Sequence, residues 1–212
     1  MKKRLKIGTN YSLNFNIPKR NAKKIKFIIL HYTGMKKEKE AIKKLCDTKS
    51  KVSSHYFIKE NGKVLNLVPD LYEAWHAGKS CWKNYVLLNK YSIGIEIHNP
   101  GHQHGYKKFS KRQIYSLKKL LEKLIKKYKI NLKNILAHSD VAPSRKKDPG
   151  EKFPWRILAK KKICYFPTIK NRINKNSKIK AKDKEIFIEN LYRFGYCRIK
   201  KTNSQKNATL LN

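Results

Sequence analysis

The chain has 212 residues, 40% of them hydrophobic, and its 52 lysines and arginines against 14 acidic residues give a formal net charge of +38. This length and apolar content allow one good domain plus an appendage, and no run of about 18 apolar residues is present, so no membrane span is expected. The charge favours non-specific contact with polyanions, but the basic residues are spread over every segment and form no recognised motif, so a specific nucleic-acid partner is not expected.

Residues 1–24 are polar and basic, with Pro18 as a breaker, and read as an extended N-terminal arm. Met1-Lys2-Lys3-Arg4 mimics the start of a signal peptide, but the apolar run that should follow is missing. The expectation is a cytoplasmic protein, with export by another route left open. The apolar run at 25–31 predicts a central strand covered on both faces, and it ends on His31. Residues 38–46 predict a helix, with Ala41, Ile42, Leu45 and Cys46 on one stripe. Strands at 54–59 and 63–68 flank Asn61-Gly62, a strong hairpin signal.

A loop region follows over 69–90. Residues 92–98 then alternate, with Ile93, Ile95 and Ile97 on one side and Gly94, Glu96 and His98 on the other. A glutamate in the middle of an apolar strand is unusual unless it is paired or functional. Ser110 and Gln113 form a capping box, with Phe109 and Ile114 as its hydrophobic staple. They open a long amphipathic helix over 111–128 that carries Ile114, Leu117, Leu120, Leu121 and Leu124.

A short buried strand at 134–138 brings in His138, followed by a loop that Pro143 and Pro149 stiffen and that carries Lys146 and Asp148. Residues 168–182 read as a basic linker, 185–196 as one short helix, and 199–212 as a disordered end. The tail after residue 168 has little to bury and is expected to be dispensable for chemistry. Cys46, Cys81, Cys164 and Cys197 form no C-x-x-C pair, and four scattered thiols fit packing in a reducing compartment.

Two histidines at strand ends and one carboxylate make a three-ligand site with an open fourth position, the pattern of catalytic zinc. At spacings this long the pattern alone is only suggestive. The ordered motifs Leu30-His31-Tyr32-Thr33-Gly34, Val52-Ser53-Ser54-His55-Tyr56, Trp75-His76-Ala77-Gly78, Ser92-Ile93-Gly94-Ile95-Glu96-Ile97 and His138-Ser139-Asp140 through Asp148-Pro149-Gly150 add to it. Together they resemble the zinc-dependent N-acetylmuramoyl-L-alanine amidases, a family related to peptidoglycan-recognition proteins.

The resemblance implies an α/β fold with one central mixed β-sheet flanked by helices and a catalytic domain over 25–167, while the composition gives a basic tail over 168–212 in place of the C-terminal helical domain that several relatives carry. It implies Zn²⁺ held by His31, His138 and Asp148, with Glu96 as the catalytic glutamate and Lys146 beside the metal. It places Tyr32, Trp75, His76 and Asn99 near the substrate, which would be peptidoglycan or a muropeptide. His55 is expected to pack in its strand, and His102 and His104 to be exposed. The alternative on the same fold is a binding module that keeps the groove and has lost a ligand. The complete set of His31, His138, Asp148, Glu96 and Lys146 argues against that alternative.

Overall fold

The run Phe27-Ile28-Ile29-Leu30 points apolar side chains to both sides, and a sheet with layers on both faces is what buries them. The computed structural model describes residues 5–167 and 181–198. Its strands are β1 (Ile7–Thr9), β2 (Phe15–Asn16), β3 (Phe27–Tyr32), β4 (Tyr56–Ile58), β5 (Val64–Asn66), β6 (Glu73–Ala74), β7 (Cys81–Trp82), β8 (Tyr85–Val86), β9 (Ser92–Ile97) and β10 (Ile135–Ala137). Its α-helices are α1 (Glu38–Cys46), α2 (Lys111–Tyr128), α3 (His138–Val141), α4 (Trp155–Lys160) and α5 (Ala181–Phe194).

Six strands form one mixed sheet in the order β1-β5-β4-β9-β3-β10. The β4, β9, β3 and β10 neighbours are parallel, and β5 runs antiparallel to β4. On one face Ile28, Leu30, Ile93, Ile95 and Ile97 share a core with Leu117, Leu120, Leu121 and Leu124 of α2. Each such leucine contributes about 1.5–3 kcal/mol relative to exposure. On the other face Phe27, Ile29, Leu88 and Leu136 close around Trp82.

The local devices match their sequence signals. Ser110 Oγ accepts from the Gln113 N–H at 3.1 Å, and Gln113 Oε1 accepts from the Ser110 N–H at 2.9 Å. The β4–β5 hairpin turns at Gly62, whose φ of +84° suits glycine and whose missing Cβ would meet the Arg112 carbonyl oxygen at 2.8 Å.

Four expectations are corrected. The N-terminal segment is not a free arm. β1 adds a parallel edge strand beside β5, β2 pairs with β6, and Asn14 Nδ2 donates to the Asp47 and Val52 carbonyls at 2.8 Å. These partners are distant in sequence and the pairings are short, so no local period announces them. The cysteines are not all free: Cys81 and Cys197 form a disulfide across 116 residues, while Cys46 and Cys164 are free. The cytoplasmic expectation thereby loses its thiol argument, because disulfides persist in oxidising compartments.

The segment after His138 is not immediately a loop but one helical turn, α3. Finally, the expected C-terminal helix is present as α5, but the tail does bury surface: Phe194 and Tyr196 pack edge-on against Trp82, with ring centroids 5.8 and 4.9 Å away. Residues 168–180 and 199–212 lie outside the described residues, and with them most of the expected linker and the whole expected disordered end. Among the described residues no helix is long and apolar enough to cross a membrane.

Candidate active site

Three adjacent parallel strands deliver the chemistry to one edge of the sheet. β3 and β9 pair with His31 beside Glu96, so the two side chains leave the sheet on the same face. β3 and β10 pair with Leu30 beside Ala137, which brings His138 level with His31 at the next position. The carboxyl ends of parallel strands are where open α/β sheets place their ligands.

There His31 Nδ1, His138 Nδ1 and Asp148 Oδ2 converge. The two nitrogens lie 3.0 and 2.9 Å from Asp148 Oδ2 and 2.9 Å from each other. All three residues are buried. Two imidazoles and a carboxylate turned to one point form a donor set for a metal ion.

Hydrogen bonds behind the rings fix which nitrogens face that point. The Ser92 hydroxyl donates to the Leu88 carbonyl at 2.6 Å, so its oxygen accepts from His76 Nε2, 3.1 Å away. His76 Nδ1 is then an acceptor and takes the Nε2–H of His31 at 3.0 Å. His138 Nε2 faces the Ala77 carbonyl at 3.2 Å, which can only accept. His31 and His138 therefore both carry their proton on Nε2 and turn an Nδ1 lone pair to Asp148. Outer partners of this kind orient metal ligands and fix their tautomers. One dipeptide, His76-Ala77, serves both rings.

Burial, and next the neighbouring His138, push His31 down to about 4, so the ring is neutral near pH 7. Burial pushes the Asp148 carboxyl up, but its contacts with His138 and His31 outweigh it and leave the group well below the usual carboxylate range. Glu96 behaves in the opposite way. Burial and then the Asp148 charge raise it to about 8, against the pull of Lys146. Its Oε2 is buried and has no hydrogen-bond partner.

The cluster forms the floor of a cleft of about 470 Å³ whose walls include Tyr32, Trp75, Glu96 and Lys146. The Tyr32 hydroxyl is 2.8 Å from His102 Nδ1, and Trp75 Nε1 donates to Asn16 Oδ1 at 2.9 Å. His76 also borders the cleft, but both its ring nitrogens are engaged in supporting His31. Asn99 departs from the expected substrate contact. It is buried, its Nδ2 donates to the Lys107 carbonyl at 2.8 Å, and its Oδ1 accepts from the Gly101 N–H at 3.1 Å, so its amide organises the loop after β9. His55 is buried as expected, but it stands just before β4 rather than in it, with Nδ1 accepting from the Gly94 N–H at 3.0 Å.

Sequence reading missed several supporting groups. Arg145 donates from Nε to the Lys79 carbonyl at 3.1 Å and from its terminal nitrogen to the Ala77 carbonyl, pinning the dipeptide that orients the histidines. Gly94 carried a readable signal, a glycine inside an apolar strand. A Cβ there would lie 2.4 Å from the His76 ring, so only glycine lets that ring lie against β9.

The matching family model is that of N-acetylmuramoyl-L-alanine amidase, over residues 21–151. The chain is 37% identical over 189 residues to the amidase AmiD of Escherichia coli, covering 82% of this chain and 67% of that protein. It is 37% identical over 106 residues to the 1,6-anhydro-N-acetylmuramyl-L-alanine amidase AmpD of Haemophilus influenzae, covering 50% of this chain and 55% of that one. The solved complex of E. coli AmiD with anhydro-N-acetylmuramic acid-L-Ala-D-γ-Glu-L-Lys superposes with a TM-score of 0.75 at 32% identity, covering 85% of this chain and 75% of that one. Family members are metal-dependent in general, and this chain carries a His-His-Asp cluster. By the family match, the ordered motifs and the shared fold, the chain belongs to the N-acetylmuramoyl-L-alanine amidase family.

Proposed function

We propose that this chain is a zinc-dependent amidase that cleaves muropeptides between the lactyl group of N-acetylmuramic acid and the L-alanine of the stem peptide. The observation that carries the proposal is the convergence of His31 Nδ1, His138 Nδ1 and Asp148 Oδ2 on one point beside an unpartnered, buried Glu96 oxygen. Three protein ligands of this type, with room for a fourth, match catalytic rather than structural zinc. Zinc bound there would act as a Lewis acid and lower the pKa of a water toward ~7.

The remaining steps belong to the chain's own side chains. Glu96 takes a proton from the attacking water and passes it to the leaving nitrogen of L-alanine. In the metal-free site burial and then the Asp148 charge raise Glu96 to about 8; a zinc cation bound beside it would oppose that shift and leave the carboxylate free to accept the proton. Lys146 offers its ammonium to the scissile carbonyl oxygen as negative charge develops there. Tyr32 and Trp75 give the cleft aromatic walls suited to a sugar ring or a peptide.

The substrate reading draws on the E. coli AmiD complex, whose bound molecule is an anhydro-muramyl tripeptide. The test is digestion of that tripeptide conjugate by zinc-loaded protein, followed by mass spectrometry, alongside the matching muropeptide without the anhydro bridge. The expected products are free Ala-Glu-Lys tripeptide and anhydro-N-acetylmuramic acid. Intact substrate, or cleavage at a peptide bond within the stem, would refute the proposal.

A further inference from the structure

The turn that carries His138 is held by a residue 56 positions away in sequence. Asp140 Oδ2 accepts from the Ala137 N–H at 2.7 Å and so closes the turn between β10 and α3. Its other oxygen, Oδ1, accepts from the Tyr196 hydroxyl at 2.7 Å. The same turn reaches the second ligand loop, because the Ser139 N–H donates to the Asp148 carbonyl at 3.0 Å. A rotation of the Asp140 carboxylate would therefore disturb the backbone at both His138 and Asp148.

Tyr196 is itself firmly seated. Its ring packs on the fully buried Trp82, and Phe194 meets the same indole. Gly195 lies flat on that indole: a Cβ there would come within 2.5 Å of the Trp82 ring. The Lys83 N–H donates to the Gly195 carbonyl at 2.6 Å, and the Cys81–Cys197 disulfide ties the next residue down. Three kinds of contact thus fix this short stretch to β7 and the residue after it, and from that seat the Tyr196 hydroxyl reaches Asp140.

We propose that Tyr196 is a positioning residue for the metal site, acting through Asp140 on the turn that presents His138. The C-terminal segment is then a strap whose seat on Trp82 sets the ligand geometry, although it lies beyond residues 21–151, which match the family model. The inference rests on the reading of His138 as a metal ligand, and the experiment separates the two.

The variant is Tyr196→Phe in the full chain, which keeps the ring on Trp82 and removes only the hydroxyl. Amide hydrogen exchange of the 137–142 segment is measured without metal, and zinc affinity by competition with a chelator. The expected result is an unchanged melting temperature, exchange in 137–142 faster by about tenfold, and a zinc dissociation constant weakened by about tenfold. That is the lower end of what outer partners of metal ligands contribute. On muropeptide, kcat should fall with KM unchanged, and Asp140→Asn combined with Tyr196→Phe should be no worse than Asp140→Asn alone, because the two act as one unit. Exchange and zinc affinity within twofold of wild type would overturn the proposal. If wild-type protein binds no zinc, the ligand reading fails, and the exchange of 137–142 still decides the role of Tyr196.

Discussion

The two faces of the central sheet obey different rules. Toward α2, the alternate residues Ile28, Leu30, Ile93, Ile95 and Ile97 are uniformly aliphatic and meet a leucine stripe. Toward the cleft, the intervening positions include His31, Gly94 and Glu96, and the buried neighbours His55 and Ser92 are polar as well. The first face is built by burial, which is non-directional and tolerant of exchange. The second is built by polar contacts to individual ring nitrogens, which are directional and specific. Chemistry sits on the face where the apolar alternation breaks, and that face depends on single atoms.

Substitutions on the two faces should fail in different ways. Glu96→Gln should have the largest effect on turnover, a fall of roughly 10²–10⁴-fold with zinc retained, as for a lost general acid–base. Zinc content and kcat on one preparation check this, and loss of zinc would make Glu96 a ligand instead. Lys146→Ala should keep zinc and lower kcat by roughly 10²–10³-fold, as for a lost oxyanion donor. An unchanged kcat would remove Lys146 from the mechanism. Gly94→Ala should press on the His76 ring and weaken zinc binding by roughly 10–100-fold, and a wild-type zinc affinity would show that His76 does not orient His31. Leu120→Ala, on the α2 face, should cost about 2–5 kcal/mol in denaturant unfolding. Zinc affinity and kcat of its folded fraction should match wild type, and a change in either would mean that the two faces are coupled.

The last prediction concerns pH. Burial, then the Arg20 charge, lowers His55 to about 3, whereas in the unfolded chain it titrates near ~6.5. Between those values the unfolded state binds the proton and the folded state does not. Stability should therefore fall as pH drops from about 6.5 toward 3, by at most about 1.4 kcal/mol per pH unit for this one group. Urea midpoints for wild type and His55→Asn over that range test it, and an equal slope in both proteins would assign the dependence to other groups.

Much of this contrast was legible in the sequence, and what was hidden has a physical pattern. The α2 face announced itself through local periodicity. The leucine spacing and the Ser110–Gln113 box marked the helix at 111–128, and Asn61-Gly62 marked the hairpin. Glu96 stood out because it interrupts an isoleucine alternation, and His31 and His138 because each ends an apolar run.

The supports of the site were not legible, because each depends on a contact distant in the chain. His76 reaches His31 across 45 residues, and Tyr196 reaches Asp140 across 56. β1 and β2 are three and two residues long, too short to show a period. Cys81 and Cys197 carry no spacing signal at a separation of 116. Asn99 misled for the related reason that a polar residue after a catalytic strand reads the same whether it meets substrate or holds its own loop.

The central claim is that His31, His138 and Asp148 together hold one metal ion, and equilibrium zinc binding to the Asp148→Ala variant tests it most directly. Wild-type protein should take up one zinc per chain. Asp148→Ala, with circular dichroism unchanged, should bind none above background at the same concentration, because two imidazoles alone hold the ion poorly. A variant that kept wild-type zinc content and affinity would contradict the claim, and the cluster would then be a hydrogen-bonded core rather than a metal centre.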